Sequence, residues 1–457
     1  MGGIVEAILI ISLAVLCTII PFGLGQKYGM LRLVSPMHLV AYFGFFGFLL
    51  KVMVYAVNPE FAFYSRFVTN PSGEQLGAIY LILFILLLCV GYRFGCKSYS
   101  KSDSVTAARL VAGGLTRRTG LFLTALLVTG LTIVVILRAR GDSGLDQAVV
   151  ASLNSAKQIN VNDAGVGATL AGLKTFFVVP KFAFVLLLAN AIVTGARFVM
   201  LQAGLLGILL VFIAILSGDR FELVELLIFA LATHMILGGR LHGRILLIGG
   251  ASLAALAVTS AYMTQLRVAD GAPMLRSLAQ QIVGSTYFLD INVAIMVTDR
   301  VSADQMLLGQ SYGWWSFGWV PRAFWFDKPA VDLGVMFKRD IMGVSTGGAF
   351  NVTGPGEAFI NFRWAGIFVG FALGWLFRKG ETVLLSSGPA MRHGAFFLYP
   401  MIFYPFVQAA LQSSFSAYVV GAAAQLVLIL AMIRIFVVRY AVWISPLTND
   451  RSRLYVA

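Results

Sequence analysis

The chain has 457 residues, 59% hydrophobic and 12% charged, with a mean hydropathy of +0.86 and a formal net charge of +14. Soluble globular domains carry about 25% charged residues, so these values exclude a water-soluble enzyme and point to an integral membrane protein. No nucleic-acid partner is called for, because the basic excess reads as a topology signal with some attraction to anionic lipid headgroups.

Apolar stretches near the ~20 residues needed to cross a bilayer run from about 3 to 22, 37 to 56, 76 to 95, 119 to 138, 173 to 194, 198 to 216, 221 to 238 and 243 to 264. Three more follow at about 356 to 377, 393 to 412 and 418 to 437, which predicts 11 spans. The stretches are continuously apolar instead of alternating in a period of two, so the expected fold is an all-α polytopic membrane protein and not a barrel. No basic residue precedes the first stretch and Glu6 sits where positive charge would be expected, so it is not read as a cleaved signal peptide.

Lys and Arg in the short loops set the orientation. The connection from 96 to 118 carries Lys97, Lys101, Arg109, Arg117 and Arg118 against Asp103, which assigns it to the cytoplasm. Alternation then puts Lys27, Arg32, Arg197, Arg240, Arg244, Arg378, Lys379 and the Arg451 and Arg453 tail on the same side. The N-terminus is expected outside and the C-terminus inside. Cys17, Cys89 and Cys96 fall in or next to spans, so no disulfide framework is available to the outer loops.

The expected organisation is an N-terminal bundle of about 8 spans (1 to 265), a large outer loop subdomain (266 to 355), and three C-terminal spans with a tail (356 to 457). The loop is rich in Trp314, Trp315, Trp319 and Trp325, with Phe317, Phe324 and Phe326, and reads as short interfacial helices with aromatic rings at headgroup depth. Those rings either anchor the loop or hold a ligand. Seven basic residues (Arg267, Arg276, Arg300, Arg322, Lys328, Lys338, Arg339) share it with seven aspartates (Asp270, Asp290, Asp299, Asp304, Asp327, Asp332, Asp340), so ion pairing is expected. No internal repeat is visible, which weakens a transporter built from inverted repeats.

All four histidines fall at or near the inner side, so no outer zinc site or outer histidine base is expected, and neither a Walker A, a Rossmann signature nor a GxSxG elbow is present. Carboxylates, guanidiniums, aromatics and amides remain outside, a set suited to carbohydrate bearing a phosphate or diphosphate.

Three stretches carry that chemistry. SGDRFELVELL (217 to 227) gathers Asp219, Arg220, Glu222 and Glu225 at the outer end of a span, either as an interfacial ion-pair network or as part of a site. Lys174 and Lys181 share a helix face around Pro180, either snorkelling or forming a positive wall for a diphosphate. In GGAFNVTGPGEAFINFRWAGI (347 to 367), a Gly-Pro-Gly turn opens a span. Glu357 and Asn361 lie four apart on one face, while Arg363 lies about 120° around the helix. Glu357 is either a helix-start acid favoured by the dipole or half of a polar pair facing a cavity.

SGDR (217 to 220), VPRAFWFDKP (320 to 329) and TGPGEAFINFRWAG (353 to 366), in that order, resemble the Wzy-type O-antigen and oligosaccharide repeat unit polymerases. The family's Asn-Phe-Gly reads Asn361, Phe362, Arg363 here, and its Trp-Pro-Asp-Lys-Pro run reads Trp325, Phe326, Asp327, Lys328, Pro329. The resemblance implies a GT-C-like membrane glycosyltransferase in the bacterial inner membrane. It would join undecaprenyl-pyrophosphate-linked oligosaccharides on the periplasmic face, without cofactor, nucleotide sugar or metal. It implies Arg220, Arg276 and Arg322, helped by Lys328, at the departing pyrophosphate, Glu357 as general base or acceptor-orienting carboxylate, and Asn361 on a sugar hydroxyl. Arg363, Lys174 and Lys181 complete the expected substrate-binding set. A chain-length regulator is a further partner the residues leave open. The alternatives are an O-antigen ligase, disfavoured by the missing outer histidine, and a flippase or transporter for the same lipid-linked substrate.

Overall fold

The computed structural model describes residues 4–68, 73–96, 101–140, 176–217, 220–240, 242–243, 247, 249–251, 283–284, 286–320, 324–325, 328–344, 349–386, 391 and 393–437. Among the described residues there are helices and no strand, as uninterrupted apolar segments with internally satisfied backbones require in lipid. The main helices are α1 (Ile4–Tyr28), α2 (Pro36–Val57), α3 (Gly73–Phe94), α4 (Lys101–Gly113), α5 (Arg118–Arg140), α6 (Val178–Thr194), α7 (Arg197–Ser217), α8 (Arg220–Ile236), α9 (Ile291–Arg300), α10 (Gly354–Phe362), α11 (Ile367–Leu385), α12 (Ala395–Gln412) and α13 (Phe415–Phe436).

Seven helices among the described residues are long and apolar enough to cross a membrane: α1, α2, α3, α7, the α10–α11 unit, α12 and α13. The expectation of eleven spans is met only to that extent. The expected span at 119 to 138 falls on α5, a helix of 23 residues, and the one at 173 to 194 appears as a shorter apolar helix, Val178–Thr194. Helix α8 has 17 residues and carries Glu222 and Glu225 near its start. The expected span at 243 to 264 lies largely outside the described residues, as does the connection from 141 to 175.

The expected span at 356 to 377 is not one helix. Helix α10 stops at Phe362 and a 3-10 turn covers Arg363–Gly366 before α11 begins, because Phe362 (φ −134°) and Arg363 (φ 50°, ψ −129°) leave helical geometry. Arg363 therefore sits at a break and not on the side of a continuous helix.

Helix α11 packs along α3 at very close range. A Cβ on Gly374 would overlap the Leu88 carbonyl oxygen, and one on Gly91 would overlap that of Phe371. Small residues let membrane helices approach until their backbones touch, where dispersion replaces the hydrophobic drive that lipid does not supply.

The turns that carry the basic residues meet at one end of the bundle. Met30, Val105, Met235, Leu385 and Met391 line a cavity of about 190 Å³ there. Beside it Glu381, fully buried, accepts from Met30 N (2.9 Å), Tyr92 Oη (2.6 Å) and Arg378 Nη1 (3.0 Å), tying the α1–α2 turn to α3 and α11.

At the opposite end the large loop enters the bundle. Ile291 to Val297 of α9 are all buried, and the helix packs on α3 and α10. The loop does supply short helices, Gln310–Gly313, Trp315–Gly318 and Leu333–Met336, but the apolar run INVAIMV draws α9 inside. Its N-cap, Asp290, accepts from Asn292 N at 2.8 Å and pairs with Lys51 of α2 at 2.5 Å, both side chains having no exposure. Tyr55 Oη adds a bond to Asn292 Oδ1 at 2.9 Å.

Two stability outcomes follow from these contacts. Removing one partner of a buried ion pair leaves an uncompensated charge, so Lys51→Met alone is expected to cost about 3–5 kcal/mol, and the double variant Lys51→Met/Asp290→Asn much less. Gly374→Ala is expected to cost about 1–3 kcal/mol by overpacking against α3. Equilibrium unfolding in detergent micelles checks both, and a Lys51→Met protein as stable as wild type would contradict the first.

Candidate functional site

The site is built on α10, and its Gly-Pro-Gly start explains how so polar a helix lies inside the bundle. Thr353 adopts φ 62° and caps the helix, its hydroxyl accepting from Gly356 N at 3.4 Å. Pro355 occupies the first turn, where its missing N–H is no loss, and its carbonyl accepts from Tyr80 Oη at 3.0 Å. Gly354 lies so close to α12 that a Cβ would overlap the Ala410 carbonyl oxygen.

Glu357 and Asn361 do share a face, and it is turned to the loop at 307–312. Glu357 is 2% exposed. Its Oε1 accepts from Ser311 Oγ at 2.7 Å and its Oε2 from Phe415 N, the first residue of α13, at 2.8 Å. A carboxylate at that point meets unpaired N–H groups and the positive end of the α13 dipole. Asn361 Nδ2 donates to Ser311 Oγ at 2.7 Å and to the Glu357 carbonyl at 2.8 Å, while its Oδ1 accepts from Gly309 N at 3.0 Å. Because α10 breaks after Phe362, its last carbonyls lack helical partners; Leu307 N and Leu308 N supply them at Ile360 (3.2 Å) and Asn361 (3.0 Å).

Ser416 Oγ donates to the Ser311 carbonyl, closing the junction from α13. Tyr312 stacks on Phe362 with ring centroids 6.2 Å apart and meets Phe415 edge-on at 5.7 Å. Burial, then the Glu357 charge, pushes its phenol well above the ordinary value. On the far side of Ser414 lies Asp332, whose Oδ1 caps Leu333–Met336 by accepting from Gly334 N at 2.8 Å. Leu333 N donates to Ser414 Oγ at 3.4 Å, and the Asp332 charge acts on Glu357. Burial raises the Asp332 carboxyl above its usual value, against the opposing pull of the Gly334 N–H.

Arg363 stands apart. It is half-buried, makes no side-chain hydrogen bond or ion pair with the described residues, and its Nε is buried without a partner among them. An isolated cation at membrane depth is expensive, and a backbone in a region that favours glycine adds strain.

The other expected binding residues divide. Lys181 lies against Glu225 (2.9 Å) and Glu222 (3.8 Å), so it joins α6 to α8 in the ion-pair network that the 217 to 227 stretch allowed and does not present a free positive wall. Lys328 Nζ donates to the carbonyls of Gly318 (3.0 Å) and Val320 (2.8 Å), capping the end of Trp315–Gly318. Lys174, Arg276 and Arg322 lie outside the described residues, as does the side chain of Arg220, which opens α8. Among the described residues no three of His, Cys, Asp and Glu gather as a metal-ligand set.

Sequence reasoning missed Ser311 and Asp332. Ser311 has no local signal, since only the tertiary fold brings it to α10. The Asp-Leu-Gly of 332–334 does read as an N-cap, but nothing local separated it from the other loop aspartates.

No family model matches the chain, and neither a curated protein nor a solved structure matches it.

Because Arg363 holds a glycine-favouring conformation with no bonding partner, Arg363→Gly is expected to stabilise the folded protein by about 1 kcal/mol. Thermal unfolding in detergent reads this out, and a lowered midpoint would mean that the side chain is bonded. Ser311→Ala removes a donor from buried Glu357 and an acceptor from Asn361 and is expected to cost about 1–3 kcal/mol in the same measurement.

Proposed function

We propose that the chain is a membrane glycosyltransferase of the Wzy type, polymerising undecaprenyl-diphosphate-linked oligosaccharide repeat units. In this reading it lies in the bacterial inner membrane with eleven spans in a GT-C-like arrangement, its N-terminus periplasmic and its C-terminus cytoplasmic. The supporting observation is the junction of the Gly-Pro-Gly-Glu helix with two outer elements, the loop around Ser311 and the Asp332 turn that follows the proline-arginine segment. All three meet at the end of the bundle opposite the basic turns.

The chemistry asked of the site is the joining of a sugar hydroxyl to an anomeric carbon with loss of a diphosphate. Arg220, Arg276 and Arg322 are assigned to the leaving diphosphate, where guanidinium forks meet phosphate oxygens bidentately. Arg363 is assigned to the same anion, since its charge is not neutralised by a carboxylate. Of the two roles open to Glu357, orienting the acceptor, here by way of the loop at Ser311, fits better than proton abstraction, because both its oxygens already accept hydrogen bonds and the residue is 2% exposed. Asn361 fixes the same loop through Gly309 and Ser311.

Purified protein in vesicles, supplied with a single lipid-linked repeat unit from its host, is expected to give a ladder of products spaced by one repeat. Movement of the lipid across the bilayer without product would favour a flippase. Transfer of single units to a lipid A core without a ladder would favour a ligase, and the absence of any product would sink the proposal.

A further inference from the structure

The carboxylates at the outer end of the bundle are in different environments, and those environments divide their roles. Glu357 has both oxygens occupied by Ser311 and Phe415. Asp290 is sealed against Lys51. Asp299 lies beside Arg300 at 3.7 Å, its own side chain 2% exposed. Asp340 is held by Arg339 Nε and Nη2, at 2.6 and 2.9 Å, which lowers its pKa below the ordinary value. Asp304 stands fully exposed on a surface turn, with hydrogen bonds from Ser302 and its own backbone pulling its pKa down.

Asp332 differs from all of these. One oxygen is fixed by Gly334 N and the other accepts nothing from the described residues, yet the residue keeps part of its surface open. Its turn is tied through Leu333 N to Ser414, the residue preceding the Phe415 N–H that holds Glu357. A carboxylate with one oxygen anchored and the other accepting nothing from the described residues, beside a rigid polar junction, has the geometry of a base: oriented, partly open, and with a lone pair to spare.

We propose that Asp332 is the general base of the polymerase site, an assignment that rests on the polymerase reading above. The carboxylate accepts the proton of the acceptor sugar hydroxyl as that oxygen forms its bond to the anomeric carbon of the donor glycan. The anomeric carbon–oxygen bond breaks, and its electron pair leaves with the lipid diphosphate. Burial of Asp332 raises its proton affinity above that of an ordinary aspartate, which strengthens it for this task. Glu357 is then a positioning residue, which holds the loop and the α13 start against which Asp332 is placed.

The test uses the full chain in vesicles with the undecaprenyl-diphosphate-linked repeat unit extracted from a host strain lacking this protein. Asp332→Asn and Asp332→Ser both keep an oxygen that can cap Gly334, so the turn has no reason to unfold. Both are expected to lower kcat by about 100-fold or more, with KM within about threefold and binding of the lipid-linked unit retained. Asp332→Glu is expected to recover part of the rate. If either variant folds, binds the lipid-linked unit and polymerises within about threefold of wild type, Asp332 is not the base. Loss of binding together with turnover, or failure to fold despite the retained cap, would make Asp332 structural and also overturn the assignment. Failure of the wild type to polymerise would instead strike the functional reading itself, so the two failures are told apart.

Discussion

Burying the Glu357 carboxylate at the end of a membrane bundle is the constraint around which its surroundings are arranged. A charge removed from water costs several kcal/mol unless donors replace the solvent, and here two do, one from the loop at Ser311 and one from the first N–H of α13. Meeting that requirement fixes the relative position of three chain segments far apart in sequence. Asn361, one turn further along α10, repeats the pattern with Gly309 and Ser311. The loop at 307–312 is thus held by the polar face of a short helix.

The short helix exists because its successor is held elsewhere. Helix α11 is committed to α3 by backbone contact at Gly374 and Gly91, while α10 is committed to α9 and α12 by its glycine-proline start. One straight helix cannot satisfy both, so the chain breaks between Phe362 and Gly366. Trp364 covers the break, edge-on to Tyr80 at 5.8 Å and to Phe359 at 6.1 Å. The same Tyr80 donates to the Pro355 carbonyl, so one side chain of α3 secures both ends of α10.

The helical class, the membrane setting and most helix positions were legible, because apolar segments of bilayer length leave the backbone no other solution. So was the shared face of Glu357 and Asn361, since a spacing of four depends only on helix geometry. The break at Arg363 was not, because GEAFINFRWAGI contains nothing that forbids a helix; only the competing commitments of α10 and α11 do. Nor were the long-range partners legible. Lys51 reads as one more cation in an apolar run until Asp290 reaches it from 239 positions away, and Ser311 is an ordinary loop serine until α10 faces it.

Charge pairing narrows what remains for an anionic substrate. Lys51, Lys181 and Arg378 each lie against a carboxylate, at 2.5, 2.9 and 3.0 Å, and Lys328 is directed at backbone carbonyls. Such groups serve the fold, because moving them to a ligand would strand a buried acid or a helix end. Arg363 has neither commitment and sits where the chain already accepts backbone strain. Strain persists only where the surroundings over-determine it. Here the break would form more easily with glycine, so it is the side chain and not the turn that argues for arginine. That separates Arg363 from the structural cations and supports its assignment to the leaving diphosphate, while Asp332 stands on the opposite side of the proposed reaction as proton acceptor.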